Sequence, residues 1–170
     1  MELKYSENYY IRSLLNKVKI QEIMTKKVIC LNQDEPFSHA AKKFQEYEIR
    51  HLPVLDNKNK LVGIITQRDL YRICSPRKRE DGTWFYDQEI LDDFILKHVM
   101  TQQVTTLSSE NSVADALLIM ADKKYGCIPI VDKSQTLCGI ISQIDILQIG
   151  AQILREGQDS AKKKNSSAKT

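Results

Sequence analysis

"GIITQRD" occupies residues 63–69, and a near copy, "GIISQID", occupies residues 139–145. The two stretches share five letters, among them an opening glycine and a closing aspartate. A hydroxyl residue, Thr66 in one copy and Ser142 in the other, stands three positions before that aspartate. Two copies of one motif in a chain of 170 residues indicate a duplicated structural unit.

The similarity continues on both sides of the heptapeptides when the chain is aligned with itself at an offset of 76 residues. Fourteen of the fifty pairs between residues 24–73 and 100–149 are identical without a gap, and chance does not keep one register for so long. The pair Met24-Thr25, for example, falls on Met100-Thr101. The chain therefore contains two repeats.

Each repeat has the hydrophobic pattern of a β-α-β-β-α unit. The short β-prone runs "VICL" (28–31) and "VTTL" (104–107) come first. Apolar residues at positions i, i+3, i+4 and i+7 then predict one buried helix face in each copy: Phe37, Ala40, Ala41 and Phe44, and Val113, Ala116, Leu117 and Met120. The runs "HLPVLD" and "LVGIIT", and their counterparts "CIPIVD" and "LCGIIS", predict strands. Final helices are predicted at about 67–75 and 143–155.

We predict an α+β fold in which the two repeats pack with pseudo-twofold symmetry, because one repeat of about fifty residues buries too little surface to be stable alone. Asp81-Gly82 predicts a turn, and helices are expected at 6–20 and 88–97. The predicted segments are an N-terminal helical segment (1–19), the first repeat (20–75), an inter-repeat insertion (76–96), the second repeat (97–155) and a disordered basic tail (156–170).

Composition argues against several classes of protein. No stretch approaches 18 consecutive apolar residues, and the N-terminus lacks a signal-peptide pattern, so a cytoplasmic location without membrane contact is expected. The net charge of +3 resides in residues 157–170, which leaves the remaining chain neutral and gives no support for nucleic-acid binding. The four cysteines form no C-x-x-C pair, so no metal site is expected. Their thiols are expected to be reduced.

The repeated motif has two physical interpretations. In the first, the hydroxyl and the following helix N-terminus hold a phosphate, and Asp69 or Asp145 accepts both hydroxyls of a ribose. In the second, Thr-x-x-Asp and Ser-x-x-Asp are capping boxes that only stabilise the helix start. The spacing leaves both open. The upstream glycine favours binding, because a glycine inside a strand often marks close approach by a ligand or another backbone.

Over residues 20–155 the pattern resembles a tandem pair of cystathionine-β-synthase-type (CBS) domains. The resemblance rests on "IMT" (23–25) and "VMT" (99–101), the strands "HLPVLD" and "CIPIVD", and above all the two heptapeptides. It implies a disc-like module with two clefts between the repeats. It also implies regulatory ligands that contain adenosine, such as AMP, ADP, ATP or S-adenosylmethionine, rather than a tightly bound cofactor.

The resemblance also implies which residues form the nucleotide-binding sites. The motif aspartates would hold ribose and the motif hydroxyls would approach phosphate, which assigns Asp69 with Thr66 and Asp145 with Ser142. The residues implied to frame the base are Thr25, Lys26, Lys27 and Val28 with Arg50, His51 and Leu52, and Thr101 and Val104 with Cys127 and Ile128.

The two copies differ in charge. The first carries Arg68 beside its aspartate and several more basic residues, where the second carries Ile144 and neutral residues. Because guanidinium groups suit phosphate geometry, we predict that the site of the first motif handles phosphate better. The basic residues counted for this site are Lys26, Lys27, Arg50, His51 and Arg68.

The sequence contains no coherent set of nucleophile, base and oxyanion donors, so no catalytic residue is assigned and no enzyme activity is expected. The leading hypothesis is a regulatory module that senses an adenine nucleotide and acts on an unknown partner or on its own homodimer. The alternative is a ligand-free dimerisation or protein-interaction module, in which the motifs serve only as helix caps.

Overall fold

The computed structural model describes residues 5–153 and residue 155, so the predicted basic tail, 156–170, lies outside the described residues. The helices are α1 (Tyr5–Lys17), α2 (Ile20–Ile23), α3 (Phe37–Glu46), α4 (Gln67–Ile73), α5 (Gln88–Asp92), α6 (Leu96–Val99), α7 (Val113–Lys123) and α8 (143–153). The strands are β1 (Leu31–Asn32), β2 (His51–Leu55), β3 (Leu61–Thr66), β4 (Arg77–Lys78), β5 (Trp84–Phe85), β6 (Cys127–Val131) and β7 (Leu137–Ser142).

The chain divides into two compact units, and each contains residues of both repeats. One unit comprises the described residues up to Lys26, Leu107–Ile128 and those from Ile140 onward. The other comprises Lys27–Thr106 and Pro129–Gly139. No helix among the described residues is long and apolar enough to cross a membrane.

The unit built around residues 27–106 contains a three-stranded sheet in the order β1-β2-β3. Strand β1 runs parallel to β2, and β2 runs antiparallel to β3, with His51 opposite Thr66. Helix α3 buries the predicted apolar face, which confirms the helical period read from the sequence. The residues that form this core are Leu31, Phe37, Ala40, Ala41, Phe44, Leu52, Val54, Ile65, Leu70, Cys74, Leu91 and Leu96.

The unit that contains the chain's N-terminal helices is organised around α7. The side chain of Ser112 caps this helix and accepts a hydrogen bond from the N–H of Asp115 at 3.2 Å. The segment that follows α1 contacts the start of α7, because the N–H of Val113 donates to the carbonyl of Val18 at 3.0 Å. The buried apolar residues of this unit are Ile20, Val113, Ala116, Met120, Cys127, Ile128 and Ile141.

Two local predictions differ from the structure. The run at 104–107 forms no strand: only Leu107 makes a β-bridge, where the first repeat has the two-residue strand β1. The helix expected at 88–97 is split into α5 and α6, because Ile95 is extended (φ −90°, ψ 136°) and bridges Pro36. The β4–β5 hairpin in the insertion was not predicted beyond its turn.

Candidate functional site

The first motif joins the end of β3 to the start of α4. One carboxylate oxygen of Asp69, Oδ2, accepts hydrogen bonds from the N–H of Thr66 at 2.8 Å and from its hydroxyl at 2.7 Å. The other oxygen, Oδ1, accepts from Nη1 of Arg72 at 3.3 Å. Arg72 was not among the residues predicted from the sequence, although its position three residues after the aspartate is typical of a helical ion pair.

The second motif has the same geometry at the end of β7. Oδ2 of Asp145 accepts from both the N–H and the hydroxyl of Ser142 at 2.6 Å. The N–H of Asp145 returns a bond of 3.3 Å to the oxygen of Ser142. Among the described residues, nothing donates to Oδ1 of Asp145. Within the part of the chain that the structure describes, this oxygen therefore keeps unused acceptor capacity.

Both motifs thus make the helix-capping contacts that the second interpretation of the sequence predicted. Capping occupies one oxygen of each carboxylate and does not consume the whole group, because a carboxylate offers about four acceptor positions. A ribose diol would bond the carboxylate oxygen that capping leaves open, or replace the bonds from Thr66 and Ser142. The geometry is compatible with both roles.

The glycine that favoured ligand binding has a different neighbour in the structure. A Cβ placed on Gly63 would overlap the Sδ atom of Met100 and lie 2.7 Å from its Cγ. The close approach comes from a side chain of the protein. Gly63 therefore gives no evidence of its own for a ligand, because packing against Met100 accounts for the glycine at this position.

Each Met-Thr turn pairs with the strand that leads into the motif of the other repeat. Thr25 and Ile140 exchange two backbone hydrogen bonds of 2.9 and 3.0 Å, two residues before Ser142. Thr101 and Ile64 exchange two bonds of 3.0 Å, two residues before Thr66. The sequence groups Thr25 with the first motif and Thr101 with the second. The backbone pairing is crossed instead: Thr25 lies beside the strand of the second motif, and Thr101 lies beside the strand of the first.

One consequence concerns the basic residues assigned to the first motif. Lys26 directly follows Thr25, whose backbone lies along the strand of the second motif. Lys26 therefore belongs to the compact unit that contains the second motif, and its part in phosphate binding at the first motif stays a prediction.

Two arginines and a histidine surround the first motif. Burial lowers the pKa of His51, and the charges of Arg50 and Arg68 lower it further. Asp69 acts on this pKa in the opposite direction. Both arginine side chains are exposed, so they are free to meet a ligand. The carboxylate of the first motif consequently lies in positive surroundings.

The second motif has neutral surroundings at the same positions. Cys127 stands where the first repeat has His51, and it is buried. Burial, reinforced by the charge of Asp145, raises the pKa of its thiol to about 12, so the sulfur stays protonated and uncharged. The positions of the two arginines hold Gly126 and Ile144.

The remaining candidates fall into three groups by exposure. Leu52 and Ile128 are fully buried in the two cores, so their side chains are not available to a ligand. Val28 and Val104 are half-buried. Thr25, Lys26 and Thr101 are exposed. No group of three or more histidine, cysteine or acidic side chains within residues 5–153 is placed to hold a metal ion.

A family model described as the CBS domain matches residues 20–75 and again residues 96–151. The chain belongs to the CBS domain family. A CBS domain-containing protein of Dictyostelium discoideum is 30% identical over 143 residues, which are 81% of this chain and 94% of that protein. The CBS resemblance read from the two heptapeptides is confirmed.

Some relatives of this CBS chain are much longer enzymes. Inosine-5'-monophosphate dehydrogenase of Methanocaldococcus jannaschii is 34% identical over 130 residues, which are 76% of this chain but 23% of the enzyme. Homoserine O-acetyltransferase of Methanococcus vannielii is 26% identical over 139 residues, which are 82% of this chain and 26% of the enzyme. The chain spans about a quarter of each of these two enzymes.

Solved structures support the α+β CBS-pair fold. The structure described as the acetoin utilization protein AcuB of Vibrio cholerae has a TM-score of 0.68 and 26% identity over 84% of this chain and 96% of its own. CBSX2, solved in complex with AMP, has a TM-score of 0.66 and 19% identity, and the match covers 80% of this chain and 98% of CBSX2. The CBS pair of MJ0100, solved with 5'-methylthioadenosine and S-adenosylmethionine, has a TM-score of 0.65 and 24% identity. The match covers 79% of this chain and 97% of the MJ0100 chain.

Proposed function

We propose that this CBS pair is a regulatory module that binds an adenosine-containing ligand and transmits its presence to a partner protein or to its own homodimer. The observation that carries the proposal is the matching geometry of the two motifs, in which a hydroxyl and a carboxylate meet where a strand ends and a helix begins. Two neighbours of the same fold were solved with adenosine compounds, which supports this choice of ligand.

The role proposed for the aspartates follows from their hydrogen-bond capacity. A carboxylate that already caps its helix is held in one orientation, and its second oxygen points a fixed acceptor at an incoming diol. Asp145 offers such an oxygen directly, because only Oδ2 is engaged by the described residues. Asp69 offers it after Arg72, which is largely exposed, moves from its 3.3 Å contact.

The first motif is proposed to prefer a phosphorylated ligand. Arg50 and Arg68 flank it without partners that neutralise them among the described residues, and guanidinium groups bind phosphate strongly. The neutral surroundings of the second motif suit adenosine or a ligand with few charges. Binding at either motif shifts a conformational equilibrium only through different affinities for the two states.

Calorimetric titration of the full chain with AMP, ADP, ATP and S-adenosylmethionine tests the proposal. We expect Asp69→Ala or Asp145→Ala to weaken at least one ligand about tenfold or more, the effect of losing one or two charged hydrogen bonds. The matched control is Asp56→Ala, because Asp56 also accepts two backbone N–H bonds, both of 2.8 Å, outside the motifs. Equal affinity in the parent and both motif variants would contradict the site assignment.

A ligand-free interaction module is the second candidate, and the capping bonds of both motifs favour it. It requires no ligand, because each aspartate already has a structural role. Thermal unfolding with AMP, ATP or S-adenosylmethionine distinguishes the candidates, since a ligand that binds only the folded state raises stability. The absence of any shift at millimolar ligand would favour this second function.

A further inference from the structure

An exposed β-hairpin, β4–β5, lies in the segment that has no counterpart in the other repeat. Arg77 is opposite Phe85 and Lys78 is opposite Trp84. The turn uses Gly82 at φ 86°, a backbone conformation that residues with a side chain rarely adopt. The strand pairing thus brings basic and aromatic residues together that stand apart in the sequence.

The cations of this hairpin lie on aromatic rings. Nζ of Lys78 is 5.8 Å from the centre of the Trp84 ring, and the guanidinium of Arg79 is 4.5 Å from the centre of the Phe85 ring. Neither cation enters an ion pair among the residues that the structure describes. Cation–π contacts at exposed sites are weak, so the rings orient these charges without neutralising them.

Two acidic groups near the hairpin, Asp81 and Asp87, are already engaged. The carboxylate of Asp81 accepts from the N–H of Thr83 at 2.9 Å and from its hydroxyl at 2.7 Å. These two bonds lower the pKa of Asp81, so it remains a structural acceptor of the turn. Asp87 pairs with Arg77 at 3.0 Å. Nη1 of Arg79 donates to the hydroxyl of Thr83 at 3.5 Å, and its charge also lowers the pKa of Asp81. Neither Lys78 nor Arg79 forms an ion pair among the described residues, so both can meet a carboxylate from another molecule.

Trp84 gives the same surface an apolar contact. Its side chain is 61% exposed, which leaves a large ring area in water beside the two cations. Tryptophan and arginine are enriched among the residues that dominate binding energy at protein interfaces. The contacts that surround such residues exclude water from them. We propose that this hairpin is a docking surface for an acidic segment of a partner protein that also carries apolar side chains.

Charge distribution favours a protein segment over a nucleic acid. Residues 1–156 are neutral overall, so the net charge gives no support for the extended basic face that a phosphate backbone requires. Two oriented cations and one ring match instead a short peptide with carboxylates and a leucine between them. Such an interface depends on local ion pairs, and its affinity falls as salt rises.

Titration of the full chain with the octapeptide DELDELDE tests this inference, and the single tryptophan of the chain reports binding by its fluorescence. We expect saturable quenching or a spectral shift that weakens at higher salt. Lys78→Glu and Arg79→Glu should each weaken binding about tenfold or more, since each replaces an attraction by a repulsion. Both positions are exposed, so the fold is retained, as far-UV circular dichroism will verify.

Lys123→Glu is the matched control, because Nζ of Lys123 also lies over a ring, 5.9 Å from the centre of Tyr125. This variant should bind the peptide as the parent does. The inference is overturned if the peptide leaves Trp84 fluorescence unchanged, if the control variant loses as much affinity as Lys78→Glu, or if the oligonucleotide (dT)12 binds more tightly than the peptide.

Discussion

The side chain of Met100 fills the space beside Gly63 that the Cβ of any other residue would need. Met100 lies near the start of the second repeat, and Gly63 is the first residue of the motif in the first repeat. The contact therefore explains why the motif starts with glycine in structural terms. A residue that looked like part of a binding site is a requirement of packing.

We expect Gly63→Ala to lower the free energy of unfolding by about 1–3 kcal/mol, because the new methyl group overpacks a buried position. Urea denaturation measures the loss. Met100→Ala in the same chain should recover part of it, since it removes the atoms that the methyl group meets. Gly150→Ala is the control, because nothing lies within 4 Å of its Cβ position. A full loss that persists in the double variant would contradict the packing explanation.

The depressed pKa of His51 predicts a pH dependence of stability. Burial and two neighbouring arginines disfavour its charged form in the folded state, so the unfolded chain binds more protons. Its contribution to stability is therefore complete above the unfolded pKa of about 6.5 and is lost as the pH falls through the folded value.

Urea denaturation between pH 5 and pH 8 measures this effect. The parent should lose more stability on acidification than His51→Gln, which has no group to protonate at this position. His98→Gln, at an exposed position, should follow the parent. Identical pH profiles for the parent and His51→Gln would exclude the predicted contribution.

The capping bonds of the second motif predict a stability cost that is separate from ligand affinity. Asp145→Ala removes the acceptor of two bonds of 2.6 Å and should lower the free energy of unfolding by about 1 kcal/mol without ligand. Asp145→Asn retains an acceptor oxygen and should lose less. If neither variant differs from the parent in denaturant, the capping role is wrong.

The crossed strand pairing predicts that a change in the first repeat acts on the second motif. Thr25→Pro removes the N–H that bonds Ile140 at 2.9 Å, and Met24 is already extended (ψ 148°), as a residue before proline prefers. Stability should fall by about 1 kcal/mol. Thr25→Ala keeps the backbone bond and serves as the control.

If the proposed ligand binds at the motifs, Thr25→Pro should also weaken the event that Asp145→Ala weakens. It should leave the event that depends on Asp69 unchanged. Calorimetry on the three single variants provides the comparison. An effect of Thr25→Pro confined to the Asp69-dependent event would contradict the crossed arrangement.

The sequence predicted features that depend on local periodicity. The buried face of α3, the order of elements in the first repeat and the contact between Thr66 and Asp69 all involve residues within one or two helical turns or one strand. The duplication allowed the same contact to be predicted for Ser142 and Asp145, because similar sequence at an offset of 76 residues implies similar geometry.

The features that the sequence did not predict depend on contacts between distant segments. Neither the pairing of Thr101 with Ile64 nor the position of Met100 beside Gly63 follows from either segment alone. The residues 104–107 have β propensity, but propensity does not fix how many of them pair, and only Leu107 makes a β-bridge. The basic and aromatic sides of the β4–β5 hairpin come together only through its turn.

The exchange of Thr25 with Ile140, and of Thr101 with Ile64, has a consequence for the origin of the fold. In a chain with one repeat, the same pairing would need a second copy of that chain to supply the partner strand. Duplication places both partners in one polypeptide and lets the two copies diverge separately, as the difference between Arg68 and Ile144 beside the two aspartates illustrates.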